Sequence, residues 1–206
     1  MPQSYVPFLD SASATRKFHS NQRSNGADTV EQYIQQIAEP YLATYRVNVT
    51  TAIVTSTANS HLLQIMAGAS LRVCVKRIIV SQLVNGTTQA NQWEVRRLST
   101  AGTGGTAYTP APTDPADAAS GLTAMTLPTV KGTEGVALDV RGILTHATVA
   151  TVGLNPIADL DYTMERTKGL WIAAGAANGL ALKNVTASAT TTVLVTVIAI
   201  ESAEGA

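Results

Sequence analysis

Charged residues, histidines and cysteines are all scarce in this sequence, and each shortage argues against a class of function. Charged residues make up 14% of the 206 residues, against about 25% in a typical soluble domain. The 14 Lys and Arg residues balance the 14 Asp and Glu residues, and the pI is about 6.8. Nucleic-acid-binding domains usually have a pI above about 9. The composition therefore argues against a nucleic acid as partner.

The residues that usually perform catalysis or bind metals are also few and scattered. The single cysteine, Cys74, excludes an intrachain disulfide and a metal site built from several cysteines. His19, His61 and His146 show none of the paired spacings that metal sites use. The glycine-rich residues 102–106 are followed by prolines rather than by the helix that a phosphate-binding loop needs. We therefore expect no catalytic residue, no metal and no cofactor, and no enzymatic activity.

Long hydrophobic segments are missing as well. No basic region followed by an apolar core stands at the N-terminus, and no run of about 18 apolar residues occurs. We therefore expect neither a secretory signal nor a membrane as partner.

The composition changes along the chain and predicts two parts, an N-terminal arm over residues 1–45 and a body over residues 46–206. Residues 11–27 are mostly Ser, Asn, Gln and Ala and show no period of 3.6 or 2. Such a segment is predicted to form no regular element, so the arm is expected to be extended.

One short helix is predicted over residues 28–40. Asp28 followed by Glu31 is the pattern of a capping box, and Pro40 favours an end to the helix. Apolar residues recur between them at helical spacing: Val30, Tyr33, Ile34 and Ile37. We expect this apolar face to pack on the body.

From Val47 onward, apolar residues alternate with polar ones, as in half-buried strands. Residues 61–66 form a short apolar run, and about eight strands are predicted at 47–53, 70–81, 92–98, 122–127, 136–144, 170–174, 180–185 and 191–201. Two antiparallel sheets of eight strands make a jelly roll, whereas an immunoglobulin-type sandwich would have seven. The predicted fold is an all-β, jelly-roll-like antiparallel β-sandwich with an N-terminal extended arm and one short helix.

Local details of the strands are predicted as well. The alternation slips by one residue at Lys76-Arg77, which indicates a β-bulge. Asn85-Gly86 is a turn signal, so residues 70–81 and 92–98 are predicted to pair as a hairpin. The last run is apolar on both faces and predicts a central strand buried on both sides. Residues 99–120 are read as a long irregular loop that could reach a neighbouring subunit.

Six residues of the arm are candidates for binding a partner protein or a neighbouring subunit. They combine an apolar tip with a modest basic patch and an aromatic anchor, the residue types that dominate protein interfaces. Three cations are too few for a genome-binding arm, in which each phosphate contact needs a charge. The candidates are Tyr5, Phe8, Arg16, Lys17, Phe18 and Arg23.

Three stretches resemble a known family: SLRVCVKRIIVSQ, then QWEVRRLSTAGTGGTAYTPAPTDPAD, then GLALKNVTASATTTVLVTVIAIE. Over about residues 45–201 the chain resembles the capsid cement (decoration) proteins of tailed phages, which have a jelly-roll body and an N-terminal arm. The resemblance implies a homotrimer on the outside of an assembled head that clamps neighbouring subunits of the major coat protein. It also implies a virion protein, assembled in the host cytoplasm, without catalytic residues.

Two other functions stay open at this point. A tail- or fibre-associated jelly-roll module that binds a host-surface glycan would need exposed aromatic rings, and the candidates are Trp93, Trp171 and Tyr108. We expect both tryptophans to pack in the core instead. The third possibility is a coat protein that forms the shell itself, against which the weakly basic arm and the small size argue.

Overall fold

The computed structural model describes residues 7–9, 15–17, 21–25, 28–32, 42–84, 88–145, 156–163, 169–188 and 190–202, with side chains described only after residue 41. The chain divides into two compact units, Met1–Tyr41 and Leu42–Ala206. The division falls four residues before the boundary predicted after residue 45, because the first strand of the second unit already begins at Thr44.

The N-terminal unit contains short antiparallel strands: β1 (Pro7–Leu9), β2 (Thr15–Lys17), β3 (Asn21–Asn25) and β4 (Asp28–Gln32). β1 pairs with β2, and β3 pairs with β4. The prediction that residues 11–27 form no element is therefore wrong, since β2 and β3 lie within them.

The helix predicted over residues 28–40 does not begin at Asp28, so this part of the prediction is wrong. Asp28 pairs with Asn25 across the β3–β4 ladder instead of capping a helix. Asn25-Gly26 is itself a hairpin signal, and the β-branched Thr29 and Val30 favour a strand, so local strand preference outweighs the capping-box pattern. Residues 33–40 of the predicted helix lie outside the described residues.

In the described part of the second unit, the body, all regular elements are strands. They are β5 (Thr44–Asn48), β6 (Ile53–Val54), β7 (Ser60–Met66), β8 (Arg72–Val84), β9 (Gln89–Leu98), β10 (Thr106–Tyr108), β11 (Ala111–Pro112), β12 (Thr123–Thr126), β13 (Glu134–Thr145), β14 (Pro156–Asp161), β15 (Leu170–Ile172), β16 (Gly179–Asn184) and β17 (Thr192–Ser202). Among the described residues, no helix is long and apolar enough to cross a membrane.

These strands form two antiparallel sheets. One has the order β10-β12-β7-β16-β9-β13, and the other has the order β11-β5-β17-β8-β14, with β6 paired to β17 and β15 paired to β8. Along the principal strands β5, β7, β8, β9, β13, β14, β16 and β17, the chain changes sheet at every step except from β9 to β13. The first and last of these strands are neighbours. This order is a jelly roll, so the predicted all-β sandwich is confirmed.

The predicted hairpin between residues 70–81 and 92–98 is wrong, because β8 and β9 lie in different sheets. Both edges of β8 are paired, with β17 on one side and with β14 and β15 on the other. Both edges of β9 are paired as well, with β16 and β13. A turn signal marks where the chain reverses, but the burial of two inner sheet faces decides which strands pair.

The bulge predicted at Lys76-Arg77 is confirmed. On β17, Ala199 pairs with Val75 and the adjacent Ile198 pairs with Arg77, so Lys76 is the extra residue of β8. The bulge restores the apolar alternation on the inner face of β8, and Ile78 is buried in the core.

The last strand is central, as predicted, but only one of its faces is fully buried. Val193, Val195 and Val197 on β17 have no exposed surface, whereas Leu194 and Ile198 on the opposite face stay partly exposed. The sequence did not predict β14, and it did not predict the short β10 and β11 inside the expected loop of residues 99–120. The largest fully buried side chains between the sheets include Trp93, Ile53, Leu62, Leu63, Ile172 and Leu180.

Candidate functional site

The predicted contact residues of the arm fall partly within the described strands. Phe8 lies in β1, Arg16 and Lys17 lie in β2, and Arg23 lies in β3, whereas Tyr5 and Phe18 lie outside the described residues. The backbone register pairs Phe8 with Arg16. The β1–β2 hairpin therefore brings together Phe8 and two cationic residues, Arg16 and Lys17, although at least eight positions separate Phe8 from them in the sequence.

The three aromatic residues considered for glycan stacking differ in their accessibility. Trp93 is 2% exposed within the main core, so its predicted core position is confirmed and it is not accessible for stacking. Tyr108 is partly buried against that core. Trp171 is partly exposed, so its predicted core position is wrong, and the guanidinium of Arg72 lies 4.3 Å from its ring centroid. A cation–π contact of this kind occupies one face of the ring.

Cys74 is fully buried on β8. Burial raises the pKa of its thiol, and the nearby Lys76 and Arg72 offset only part of that effect. A buried thiol with a raised pKa stays protonated at neutral pH and is not an activated nucleophile. Cys74 therefore behaves as a small apolar residue of the sheet.

In the described part of the body, a cluster of charged residues surrounds Glu134 at the beginning of β13. One carboxylate oxygen lies 3.0 Å from His61 Nε2, and the other lies 2.8 Å from Lys183 Nζ. Arg96 Nη1 and Lys131 Nζ lie 3.3 Å and 3.5 Å from the carboxylate. We call these five residues the Glu134 cluster. Burial alone would raise the pKa of Glu134, but hydrogen bonds from Lys183 and His61 outweigh it and lower the pKa to about 2.

A chain of hydrogen bonds connects the Glu134 cluster to the loop that contains Gly102. His61 Nε2 donates to Glu134, and His61 Nδ1 accepts a short hydrogen bond from Gln64 Nε2. Gln64 Oε1 then accepts from the backbone N–H of Gly102, at 2.8 Å. Burial lowers the pKa of His61 despite the nearby Glu134, which favours the neutral ring that this pattern of donors and acceptors requires.

The loop fits closely over the sheet at Gly102. A Cβ atom there would lie 2.6 Å from the carbonyl oxygen of Val130 and 2.7 Å from Gln64 Oε1, so only glycine fits. Met66, Leu98 and Ala181 form a separate small apolar cluster of buried residues. The hydrogen bond from Gly102 to Gln64 and the close approach to Val130 hold this loop on the body.

A buried carboxylate holds the other end of the connection that contains Gly102. Glu201 of β17 is 5% exposed and accepts hydrogen bonds from Ser120 Oγ, from the Gly121 N–H and from the Leu122 N–H, the last at 2.8 Å. Residues 99–122 are therefore fixed near both ends. Because the buried Glu201 and the partly buried Glu134 are satisfied by fixed donors, the arrangement is suited to making the surface rigid.

The described residues contain no group of three or more His, Cys, Asp and Glu side chains that could hold a metal ion. Sequence reasoning did not find the Glu134 cluster, because its members come from β7, β9, β13 and β16 and from the loop before β13. His61 and Glu134 are 73 residues apart, and no local pattern links them.

Among the described residues, an accessible surface suited to protein contact is β13, which ends the six-stranded sheet. Val136, Val140 and Leu144 on this strand are 67%, 52% and 53% exposed. Between them, Arg141 Nε lies 2.9 Å from Asp139 Oδ1. A free sheet edge with large apolar residues is a common place for another strand to pair.

No family model, curated protein or solved structure matches this chain.

Proposed function

We propose that this protein is a structural virion protein, a capsid cement that binds the outside of an assembled phage head and clamps neighbouring coat subunits. The observation that carries this proposal is the division of the chain into a small N-terminal unit and a separate jelly-roll body. The resemblance of the body's sequence to cement proteins supplies the class of particle.

The body has physical properties that suit this role. The space between its sheets is filled by aliphatic side chains and Trp93. The long connection of residues 99–122 is held by Gln64 at one end and by Glu201 at the other. A rigid body loses little conformational entropy on binding, so more of the contact energy contributes to affinity.

A cement protein stabilises a shell because it binds the assembled lattice and not the separate coat subunits. Binding that favours one state shifts the equilibrium towards that state in proportion to ligand concentration and affinity. If each copy contacts two or three coat subunits, modest individual contacts combine through avidity. The proposed partners are the major coat protein and further copies of this chain in a homotrimer.

The N-terminal unit provides the proposed contact with coat protein. Its β1–β2 hairpin holds Phe8, Arg16 and Lys17, and Arg23 lies in the next strand. Phe8 pairs with Arg16 in the register of this hairpin, and aromatic residues and arginine are enriched among the residues that dominate binding energy at protein interfaces. We propose an acidic patch with an apolar centre as the matching coat surface.

The glycan-binding alternative has less support. Trp93 is buried, and Arg72 occupies one face of the partly exposed Trp171 ring. A sugar would have to stack on the remaining face of Trp171 or on the half-buried Tyr108.

The test is incubation of the purified full chain with undecorated phage capsids, followed by measurement of bound copies and of the temperature at which the shells open. Stoichiometric uptake and a higher opening temperature are expected. The variant Arg16→Glu/Lys17→Glu should bind with about tenfold lower affinity, or about 1.4 kcal/mol. Arg46→Glu, at an exposed position of β5, is the charge-reversal control and should bind as the natural chain does.

No uptake by the natural chain would contradict the cement function. Equal binding by the variant Arg16→Glu/Lys17→Glu and by the natural chain would leave that function standing but contradict the role of the arm. Binding of the chain to a host-surface glycan that is lost in Trp171→Ala would favour the alternative.

A further inference from the structure

β13 has one edge paired with β9, and no described strand pairs with its other edge. Unpaired N–H and C=O groups along a sheet edge form a template for another strand. Six large hydrophobic side chains are exposed in the described part of the body, and Val136, Val140 and Leu144 of β13 are three of them. This edge therefore offers both backbone hydrogen bonds and apolar side chains.

The sequence of β13 is symmetric about Val140. Val136 and Leu144 each lie four residues from it, and Asp139 and Arg141 each lie one residue from it. In an antiparallel pair of two β13 strands centred on Val140, apolar residues would face apolar residues. Each Asp139 would face Arg141 of the second copy. The strand is thus complementary to itself in both hydrophobicity and charge, as a twofold interface requires.

We propose that two copies of this protein associate through β13, as antiparallel edge strands related by a twofold axis at Val140. Directly opposed cross-strand pairs of opposite charge stabilise a sheet, and like charges in that position destabilise it. In this register the four charges of the two strands alternate in sign, because Asp139 also lies beside Arg141 of its own chain. The occupant of the edge is therefore a second copy of this chain.

Irregularities in β13 fix the extent of the contact. The register with β9 shifts between Glu134 and Ala137 and again between Ala137 and Asp139, whereas it is continuous from Asp139 to Thr145. Bulges bend an edge and restrict continuous pairing with another strand. The intermolecular ladder is therefore short and centred on residues 139–141, with Val136 and Leu144 making apolar contacts at its two ends.

The charges provide a test in which Arg141 is the main site of substitution, because its side chain is 56% exposed. Asp139 is 16% exposed and accepts a hydrogen bond from the Tyr162 hydroxyl at 3.2 Å, so the fold of Asp139→Arg is checked before its mass is compared. Asp139→Arg gives two strands with only positive charge at the centre, and Arg141→Asp gives two strands with only negative charge. Each variant alone should show a twofold lower mass than the natural chain by light scattering. Mixed in equal amounts, the two variants should associate one to one. The double variant Asp139→Arg/Arg141→Asp should regain the natural mass.

Two further variants complete the design. Val140→Lys places two cations on the twofold axis and should also halve the mass, and Val140 is 52% exposed, so its replacement leaves the core intact. Arg46→Asp, on an exposed part of the other sheet, changes the net charge as Arg141→Asp does and should leave the mass unchanged. Thermal unfolding of each variant verifies that it is folded.

Equal masses for the natural chain and for folded Arg141→Asp and Val140→Lys would overturn the inference, as would failure of the two single variants to associate when both are folded. This result does not test the proposed function, because uptake onto capsids is measured separately. A twofold change in mass is the expected result whether or not the paired chains assemble further.

Discussion

Two carboxylates of the same strand, β13, are shielded from water to a similar extent but have different partners. Glu134 at its beginning is 18% exposed and lies among four basic side chains. Asp139 in its middle is 16% exposed and pairs with Arg141, which is 56% exposed, and with the hydroxyl of Tyr162. Removing one partner of a buried pair leaves a charge without compensation, whereas water readily replaces a partner at the surface. The first region therefore stabilises the fold, and Arg141 in the second remains accessible to another molecule.

The largest loss of stability is expected for Glu134→Gln, which removes the negative charge at the centre of the Glu134 cluster. The substitution keeps the size of the side chain but leaves Lys183, which is 11% exposed, without its counter-ion. We expect the free energy of unfolding to fall by about 3 kcal/mol, the loss typical of breaking a buried pair. Urea unfolding at neutral pH measures it. A loss under about 0.5 kcal/mol, the range of ordinary surface substitutions, would mean that the cluster acts as a surface network.

The dependence of stability on pH tests the role of Glu134 without any substitution. The pKa of Glu134 is about 2 in the folded chain and 4.5 in its ordinary state, so its contribution is complete above pH 4.5 and is lost as the pH falls towards 2. That shift corresponds to about 3 kcal/mol. Burial lowers the pKa of His61 below 6.5, so acid also favours unfolding by protonating this ring, starting below pH 6.5.

The measurement is a series of urea unfolding curves between pH 7 and pH 3. Stability should fall with decreasing pH, and the part of the fall below pH 4.5 should be much smaller in Glu134→Gln. If the natural chain and this variant lose stability in parallel through that range, then Glu134 is not the group responsible.

The smallest effect is expected at an exposed pair. Arg77 Nε donates to Asp159 Oδ1 at 2.7 Å, and that hydrogen bond lowers the pKa of Asp159. Both side chains are about 40% exposed. Asp159→Asn should therefore change the unfolding free energy by no more than about 0.5 kcal/mol at moderate salt. A loss as large as that of Glu134→Gln would remove the contrast between buried and exposed pairs.

Several features of the fold were predictable because they depend on neighbouring residues. Alternation along β5, β9 and β17 indicated strands, and the slip at Lys76 located a bulge, since a strand's faces alternate with a period of two. The N-terminal unit was harder to predict. The competing signals at Asp28 and Asn25-Gly26 favour different elements, and the hairpin forms instead of the helix.

The candidate sites were less predictable than the strands. Phe8 and Arg16 were singled out by residue type, but their pairing across one hairpin depends on the register of β1 and β2. Nothing local to His61 or Glu134 indicates that they meet. The exposed residues of β13 could be read as a strand from the sequence, but only the sheet order places that strand at an edge.

The sequence by itself determined the all-β class and the central position of the last strand, because both follow from hydrophobic periodicity. The tertiary structure alone decided that β8 and β9 separate into different sheets, that Glu134 meets His61 and Lys183, and that no described strand pairs with the outer edge of β13. The physical reason is that strand pairing is chosen by burying two sheet faces against each other. That choice brings together residues far apart in the chain and leaves one strand at each border of the sheet without a neighbour.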